Sequence, residues 1–317
     1  MNLFSKLIKP RLPSAAVSLS DEGAAVVSLD RRRDALYVKR AGYGPLAEGL
    51  VRPSFDEANV ADVGELAAAL QGLVTTTGLQ KRKRWSVALP EAATRTAILT
   101  MEGGKASRAE ADEMLRWKTE RTFGATLEDL RISRQRLSPD GQGRARYLAT
   151  VVRVSVLSEY EAVFAALGWQ VGLILPRHLG EAWWLMRDRA AADSLLVSTH
   201  HEGFTAMLLR GGQPVLVRSV VCDPEDRVDE LYRFLLFYRD RVQTPVAEGE
   251  PPPDSVGQML VAGDGINHAE ASAIIEETLA ARPRLVGAES VRLVLPTNEL
   301  DFDAIAAPAG LAALAWT

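Results

Sequence analysis

The sequence predicts an α/β protein made of two halves of common plan, with a small α+β module inserted in the first. Three observations carry this. Each half reads as three strand-like runs joined by tight turns, then a helix, then a further strand and helix. The heptapeptide Val17-Ser18-Leu19-Ser20-Asp21-Glu22-Gly23 recurs as Val197-Ser198-Thr199-His200-His201-Glu202-Gly203, with four identities where a first strand turns at Glu-Gly into a second. Residues 94–167 read β-α-β-β-α, a unit of their own.

The elements follow in order. Residues 1–11 form an amphipathic leader, with Leu3, Phe4, Leu7 and Ile8 at helical spacing and Lys6 and Lys9 between them. Ala15–Leu19, Ala24–Asp30 and Ala35–Arg40 are strands of an antiparallel meander, and Arg31–Arg33 reads as a solvated hairpin tip. Asp62 with Glu65 opens a helix that Gly78 ends. Lys81-Arg82-Lys83-Arg84 reads as a wet connection into the strand Trp85–Leu89, which Pro90 closes. In the module, Thr96–Met101 is a strand, Ser107 with Glu110 caps a helix to Phe123, and Leu130–Leu137 pairs with Tyr147–Val156 across a Pro139-Asp140-Gly141 turn. Ser158 with Glu161 caps the next helix, which ends at Gly168. Val171–Leu175 is a strand before a helix whose Trp183, Trp184 and Met186 read as core.

The second half repeats the meander as Leu195–Thr199, Phe204–Arg210 and Pro214–Val220. A buried helix follows from Val228 to Arg241, then a proline-rich loop over 244–254. Gln258–Ala262 is a strand, Asn267 with Glu270 caps a helix, and Val291–Leu295 is the last strand. The expected division is residues 12–90 with 168–191 as the first half, 91–167 as the module and 192–317 as the second half.

Composition narrows the function classes. With 37 Lys and Arg against 41 Asp and Glu, the chain has no global pull toward nucleic acid. Its one cysteine, Cys222, excludes a disulfide framework and a multi-thiolate metal site within one chain. No apolar run reaches the ~18–20 residues of a membrane span, and the first ten residues lack the pattern of a signal peptide, so the expected compartment is the cytoplasm. There is no G-x-x-x-x-G-K-[ST] run, and His178, His200, His201 and His268 are scattered.

The layout resembles the actin-like ATPase superfamily, whose duplicated, ribonuclease H-like halves clamp a nucleotide between them. Within it the chain is most similar to the PilM family of type IV pilus assembly, a branch related to FtsA. The residues that carry this are the basic leader before strand one, Glu48-Gly-Leu-Val-Arg-Pro53, Val87-Ala-Leu-Pro90 with the module after it, and the tail Ala309-Gly310-Leu311-Ala312.

The resemblance implies two phosphate loops built on Asp-x-Gly runs, whose aspartates hold hydrated magnesium. Here those positions are Ser18 and Ser20 in the first loop, and Ser198 and His200 in the second. Two carboxylates are missing, and two side chains stand where backbone must approach phosphate. Gly263 and Gly265, in Leu260-Val-Ala-Gly263-Asp-Gly265, suit either an adenosine or phosphate contact or an ordinary strand-to-helix turn. No cofactor is therefore expected, although the resemblance implies ATP with magnesium.

The function implied is a non-enzymatic scaffold on the inner face of the inner membrane. It binds the cytoplasmic tail of a PilN-like single-span protein and meets other components of a pilus or secretion platform. The family's groove lies between first half and module, and its expected lining here is Leu89, Ile98, Trp117, Trp169, Ile174 and Arg177, each also readable as core. An ATP-binding ATPase or switch is the alternative, and a sugar or acyl kinase of the same fold the third reading.

Overall fold

The computed structural model describes residues 12–101, 108–187, 192–241, 256–296 and 301–317. The leader, the Ser107 cap and the 244–254 loop lie outside these residues. Three sheets organise the chain. In the first, β1 (Ala15–Leu19), β2 (Gly23–Arg32) and β3 (Ala35–Pro45) form the meander, and β1 continues in parallel to β4 (Arg84–Leu89). The small module sheet has the order β5-β7-β6, from β5 (Arg95–Met101), β6 (Leu130–Leu137) and β7 (Ala145–Arg153). The chain then returns to the first sheet as β8 (Gln170–Pro176), parallel to β4.

The second large sheet uses β9 (Ser194–His200), β10 (Gly203–Arg210), β11 (Gln213–Val221), β12 (Gln258–Ala262) and β13 (Arg284–Leu285). Its order, β11-β10-β9-β12-β13, has the same pattern as β3-β2-β1-β4-β8. The heptapeptide repeat thus marks equivalent turns in two copies of one topology. Central strands are buried on both faces, which is why Ala15–Leu19 and Gln258–Ala262 read as continuous runs rather than alternating ones.

Local signals set most helix ends. In α1 (Val63–Thr76), Asp62 Oδ1 accepts the Glu65 N–H at 2.8 Å. Gly78, at φ 71°, lets Leu79 N–H return to Val74 C=O. The module contributes α2 (Arg108–Phe123). The next helix, α3 (Val154–Ala166), starts four residues before the Ser158 cap expected from sequence, and β7 correspondingly stops at Arg153. Ser158 lies one turn inside, its hydroxyl donating to Val154 C=O. Burial of Val156, Leu157 and Tyr160 in the first-half core begins the helix early. The remaining helices are α4 (Arg177–Arg187), α5 (Arg227–Arg241), α6 (His268–Leu279) and α7 (Phe302–Ala313). In α6, Asn267 and Glu270 form the full reciprocal capping box.

The expected boundary of the second half requires a correction. The last strand is β14 (Leu293–Val294), and it pairs with β3 of the first sheet, Leu293 opposite Leu36. The α7 helix follows it across and packs on α4, β1 and β2. Its residues are small and apolar on every side, so a one-sided surface position would leave apolar area in water. The α4/α7 pair fills the space between the two large sheets. One core unites Ala16, Val27 and Ala88 of the first sheet with Leu196, Met207 and Leu260 of the second through Trp184, Ile305 and Leu311.

Two glycines set the α4–α7 distance. A Cβ on Gly310 would meet Gly180 C=O at 1.8 Å, and one on Gly180 would meet Ala307 C=O at 2.3 Å. Trp184 Nε1 donates to Ala306 C=O beside them, at 2.9 Å. The obstacles are backbone atoms, so Gly310→Val must separate the helices. It is expected to destabilise by about 1–3 kcal/mol or more in urea unfolding, whereas Gly72→Val, with nothing near its Cβ, is expected to lose much less.

Candidate functional site: the interlobe cleft and a cavity beside the module

The cleft forms where three strand ends turn. A cavity of about 470 Å³ is lined by the β1–β2 turn, the β9–β10 turn, the β12–α6 turn and the start of α7. Of the residues predicted for nucleotide, Ser18, Ser20, His200, Gly263 and Gly265 line it. Ser198 is fully buried beneath.

Internal contacts occupy these turns. Gly23 N–H donates to Ser20 Oγ at 3.1 Å, so the serine at the loop's glycine position closes the turn on itself. The Tyr43 ring lies across Gly23, where a Cβ would meet the phenolic oxygen at 2.3 Å. Arg227 donates to the carbonyls of His200 and His201 at 2.8 and 2.6 Å. Gly265 N–H donates to Thr199 Oγ1 at 3.0 Å, and Gly263, at φ 86°, packs where a Cβ would be 2.5 Å from Thr199. The two glycines serve close packing against Thr199 and Arg227.

Charge in the cleft is mostly negative: Asp21, Glu22, Asp264, Asp301 and Asp303 face Arg177 and Arg227. Burial, and then the Asp301 charge, push the Asp303 carboxyl up to about 6. Burial, with Glu22 and Asp264 adding to it, raises the Tyr43 phenol. Among the described residues, no three His, Cys, Asp or Glu side chains come close enough to hold a metal ion. Asp193, near the second loop in sequence, is taken up below β9 by Arg210 at 2.7 Å and Tyr238 at 2.6 Å.

A second cavity, of about 580 Å³, adjoins the first across Ser20, Asp21, Arg177, His200 and His201. At its base is a buried polar network that sequence reading does not reveal. Glu91 follows Pro90, accepts His178 N–H at 2.6 Å and contacts His178 Nδ1 at 2.7 Å. Thr205 of the second half donates to the same carboxylate at 3.2 Å, tying the lobes together. Burial opposes ionisation of Glu91, but the pull and hydrogen bonds of His178 outweigh it and hold the carboxyl well below its usual range. One turn along α4, Glu181 is wholly buried, with Arg177 at 3.3 Å and its carboxyl raised by burial.

The predicted partner-binding residues separate. Leu89 and Ile174 line a third cavity, of about 200 Å³, with Thr94, Ile132, Leu157 and Pro176, between the first sheet's strand ends and the module. Trp169 is at the other end of β8, stacked on Trp85 at 4.5 Å in the core. Ile98 is half-buried on β5 and does not reach the cavity. Trp117 is 58% exposed on α2, with Arg121 over its ring. Arg177 lines the interlobe cleft instead. The cavity also takes Arg131 and Ser133, which the sequence reading missed because only β6 pairing brings them there.

A chain of the solved PilM-PilN type IV pilus biogenesis complex superposes with a TM-score of 0.77 at 16% identity, covering 97% of this chain and 100% of that one. The fold is PilM-like, of the actin-like class. Two further solved structures also match. A Bacteroides thetaiotaomicron protein with an actin-like ATPase fold and unknown function has a TM-score of 0.47 at 10% identity, over 96% of this chain and 98% of that one. The cytoplasmic domain of EpsL, an inner membrane component of the Vibrio cholerae type II secretion system, has 0.49 at 13%, over 96% and 95%. No protein-family model matches the sequence, and no curated protein matches it at a significant level.

The network yields a pH-dependent prediction. A carboxyl held below its unfolded value contributes stability above that value, and the contribution fades as pH falls through the folded one. His178→Phe leaves Glu91 buried without its partner and is expected to destabilise by about 3–5 kcal/mol at pH 7. Lowering the pH to 5 should narrow the gap to wild type, because protonation then relieves the stranded charge. Urea unfolding at the two pH values checks both the size and the sign.

Proposed function

We propose that this chain is a non-enzymatic scaffold of a type IV pilus or related secretion platform, at the cytoplasmic face of the inner membrane. The carrying observation is the full-length likeness to a chain of the PilM-PilN complex. Among the described residues no helix is long and apolar enough to cross a membrane, which suits a peripheral component.

The partner in this reading is the cytoplasmic tail of a PilN-like single-span protein, docked at the cavity beside the module. Leu89, Ile174, Ile132 and Pro176 offer an apolar pocket for an anchoring side chain, with Arg131 at its rim. Strand β6 is an edge of its sheet, so its outer backbone groups suit strand addition by an extended tail. Ser133 is exposed at this cavity, and Ser133→Trp fills it without disturbing the core. With a labelled peptide of a PilN-like cytoplasmic tail, Ser133→Trp should weaken binding at least tenfold in fluorescence anisotropy. Trp117→Ala, remote from the cavity, should leave it unchanged. The reverse pattern would move the groove to the α2 face.

The cleft is proposed to be a degenerate nucleotide site. The absence of two metal-side carboxylates, the Tyr43 ring over Gly23 and the self-satisfied turns support this. Each lost charge-assisted contact is worth about 1.5–3 kcal/mol, so two weaken MgATP by roughly a hundredfold or more. Titration calorimetry with MgATP should give no micromolar binding isotherm. Micromolar affinity would favour the ATP-dependent switch instead.

A further inference from the structure

Two basic runs far apart in sequence meet at one edge of the first sheet. Ala15 pairs with Ser28 and Ala16 with Ser86, so the end of β2 and the entry to β4 flank the start of β1. The β2–β3 hairpin tip there carries Arg31, Arg32 and Arg33, and the chain entering β4 carries Lys81, Arg82, Lys83 and Arg84, all exposed. Two more arginines join the tip from other elements. Arg187, at the end of α4, donates to Asp34 C=O at 3.2 Å, and Arg292 precedes β14 and bonds Leu36 N–H through its carbonyl. Burial, and then the charges of Arg31 and Arg292, lower the Arg187 pKa, as expected where cations converge.

Among the described residues the acids near this edge are few. Asp30 faces Arg32 at 3.8 Å, Asp34 sits in the tip, and Glu289 lies in the turn before Arg292. Aromatic groups stand among the cations. Trp183 and Trp316, both half-buried, line a cavity of about 320 Å³ with Arg31 and Arg187. The described chain also enters here: Pro13 packs against Gly172 of β8, and Ser14 C=O accepts Leu29 N–H. The residues preceding it in sequence include the apolar Leu3, Phe4, Leu7 and Ile8 with Lys6, Lys9 and Arg11.

From this convergence we infer that the strand-start edge of the first sheet is a docking face for an anionic lipid bilayer. Cations from four places in the sequence share one edge of a chain whose net charge is −4, so the attraction is local and directed. Clustered Lys and Arg beside half-buried tryptophans match the charge and polarity profile of a bilayer surface. The inference rests on charge placement and does not depend on the pilus reading.

Flotation of the full chain with vesicles of pure phosphatidylcholine, or with 30% phosphatidylglycerol, tests it. Binding is expected only to the anionic vesicles, and 0.5 M salt should abolish most of it, since the Debye length falls well below 10 Å. Each cation at a bilayer surface contributes about fivefold, equivalent to about 1 kcal/mol. The reversal Lys81→Glu/Arg82→Glu/Lys83→Glu should therefore lower the partition coefficient by a hundredfold or more, and Arg31→Glu/Arg33→Glu by at least twentyfold. These side chains are exposed, and unchanged thermal melting confirms the fold in each variant. Deleting residues 1–9 should weaken but not abolish binding. The inference is overturned if anionic vesicles bind no better than neutral ones or if the reversals leave flotation unchanged. It is also overturned if a 30-nucleotide single strand, competed against the vesicles, takes up the protein instead. None of these outcomes bears on tail binding at the module cavity.

Discussion

The close crossing of α4 and α7 at Gly180 and Gly310 is the constraint on which the rest of the structure depends. The Trp-bearing α4 and the alanine-rich α7 fill the gap between two large sheets, and their backbones touch because neither glycine carries a Cβ. This layer joins the halves through a shared core, beside the core that each half keeps for itself. It also explains the route of the C-terminal segment: β14 crosses to the edge of β3, and α7 follows into a space that buries most of its surface. Lobe separation and the shape of the cleft above are both set by this layer.

Polar groups above the layer hold the lobes in the same arrangement. Glu91, His178 and Thr205, all buried, join a loop, a helix and a strand from both halves. A buried charge pair of this kind adds little net stability against an apolar substitute, but breaking it is severe. It therefore acts as a registration device. The glycine turns at 263 and 265 follow the same logic. Their freedom from a Cβ is used by Thr199 and Arg227, which pack where a side chain would stand. Ser20, Tyr43 and Thr199 tie up the turns that line the cleft through contacts within the chain.

Much of the fold was legible in the sequence because its signals are local. The repeated Glu-Gly turns, the Asp62 and Asn267 caps and the buried runs of β1 and β12 each depend on residues a few positions apart. The Ser158 cap failed for the opposite reason: burial of Val156 and Tyr160 outranked a local hydrogen bond. Site residues were legible only where a strand end fixes them. Ser18, Ser20 and His200 face the cleft because their turns must. Leu89 and Ile174 reach the module cavity because parallel pairing of β4 with β8 brings their ends together, Leu89 opposite Pro176 and Ile174 opposite Val87, while Trp169 precedes the far end of β8. Tyr43, Glu91 and Ser133 gave no local sign at all. Their roles come from contacts with residues 20 or more positions away.

The two runs read as wet connections, Arg31–Arg33 and Lys81–Arg84, illustrate the same limit. Each alone is an ordinary turn. Only the order β2-β1-β4 sets them two strands apart, about 10 Å, on one edge. That edge and the module cavity occupy opposite ends of β4, from Arg84 at one to Leu89 at the other. Five residue steps of about 3.3 Å separate them, so the two lie roughly 17 Å apart. A tail that leaves a bilayer at the basic edge and ends in the cavity must then be extended over at least about five residues. A compact helix of that length would span only about 8 Å. The geometry therefore favours an extended peptide, the form that the open edge of β6 can pair with.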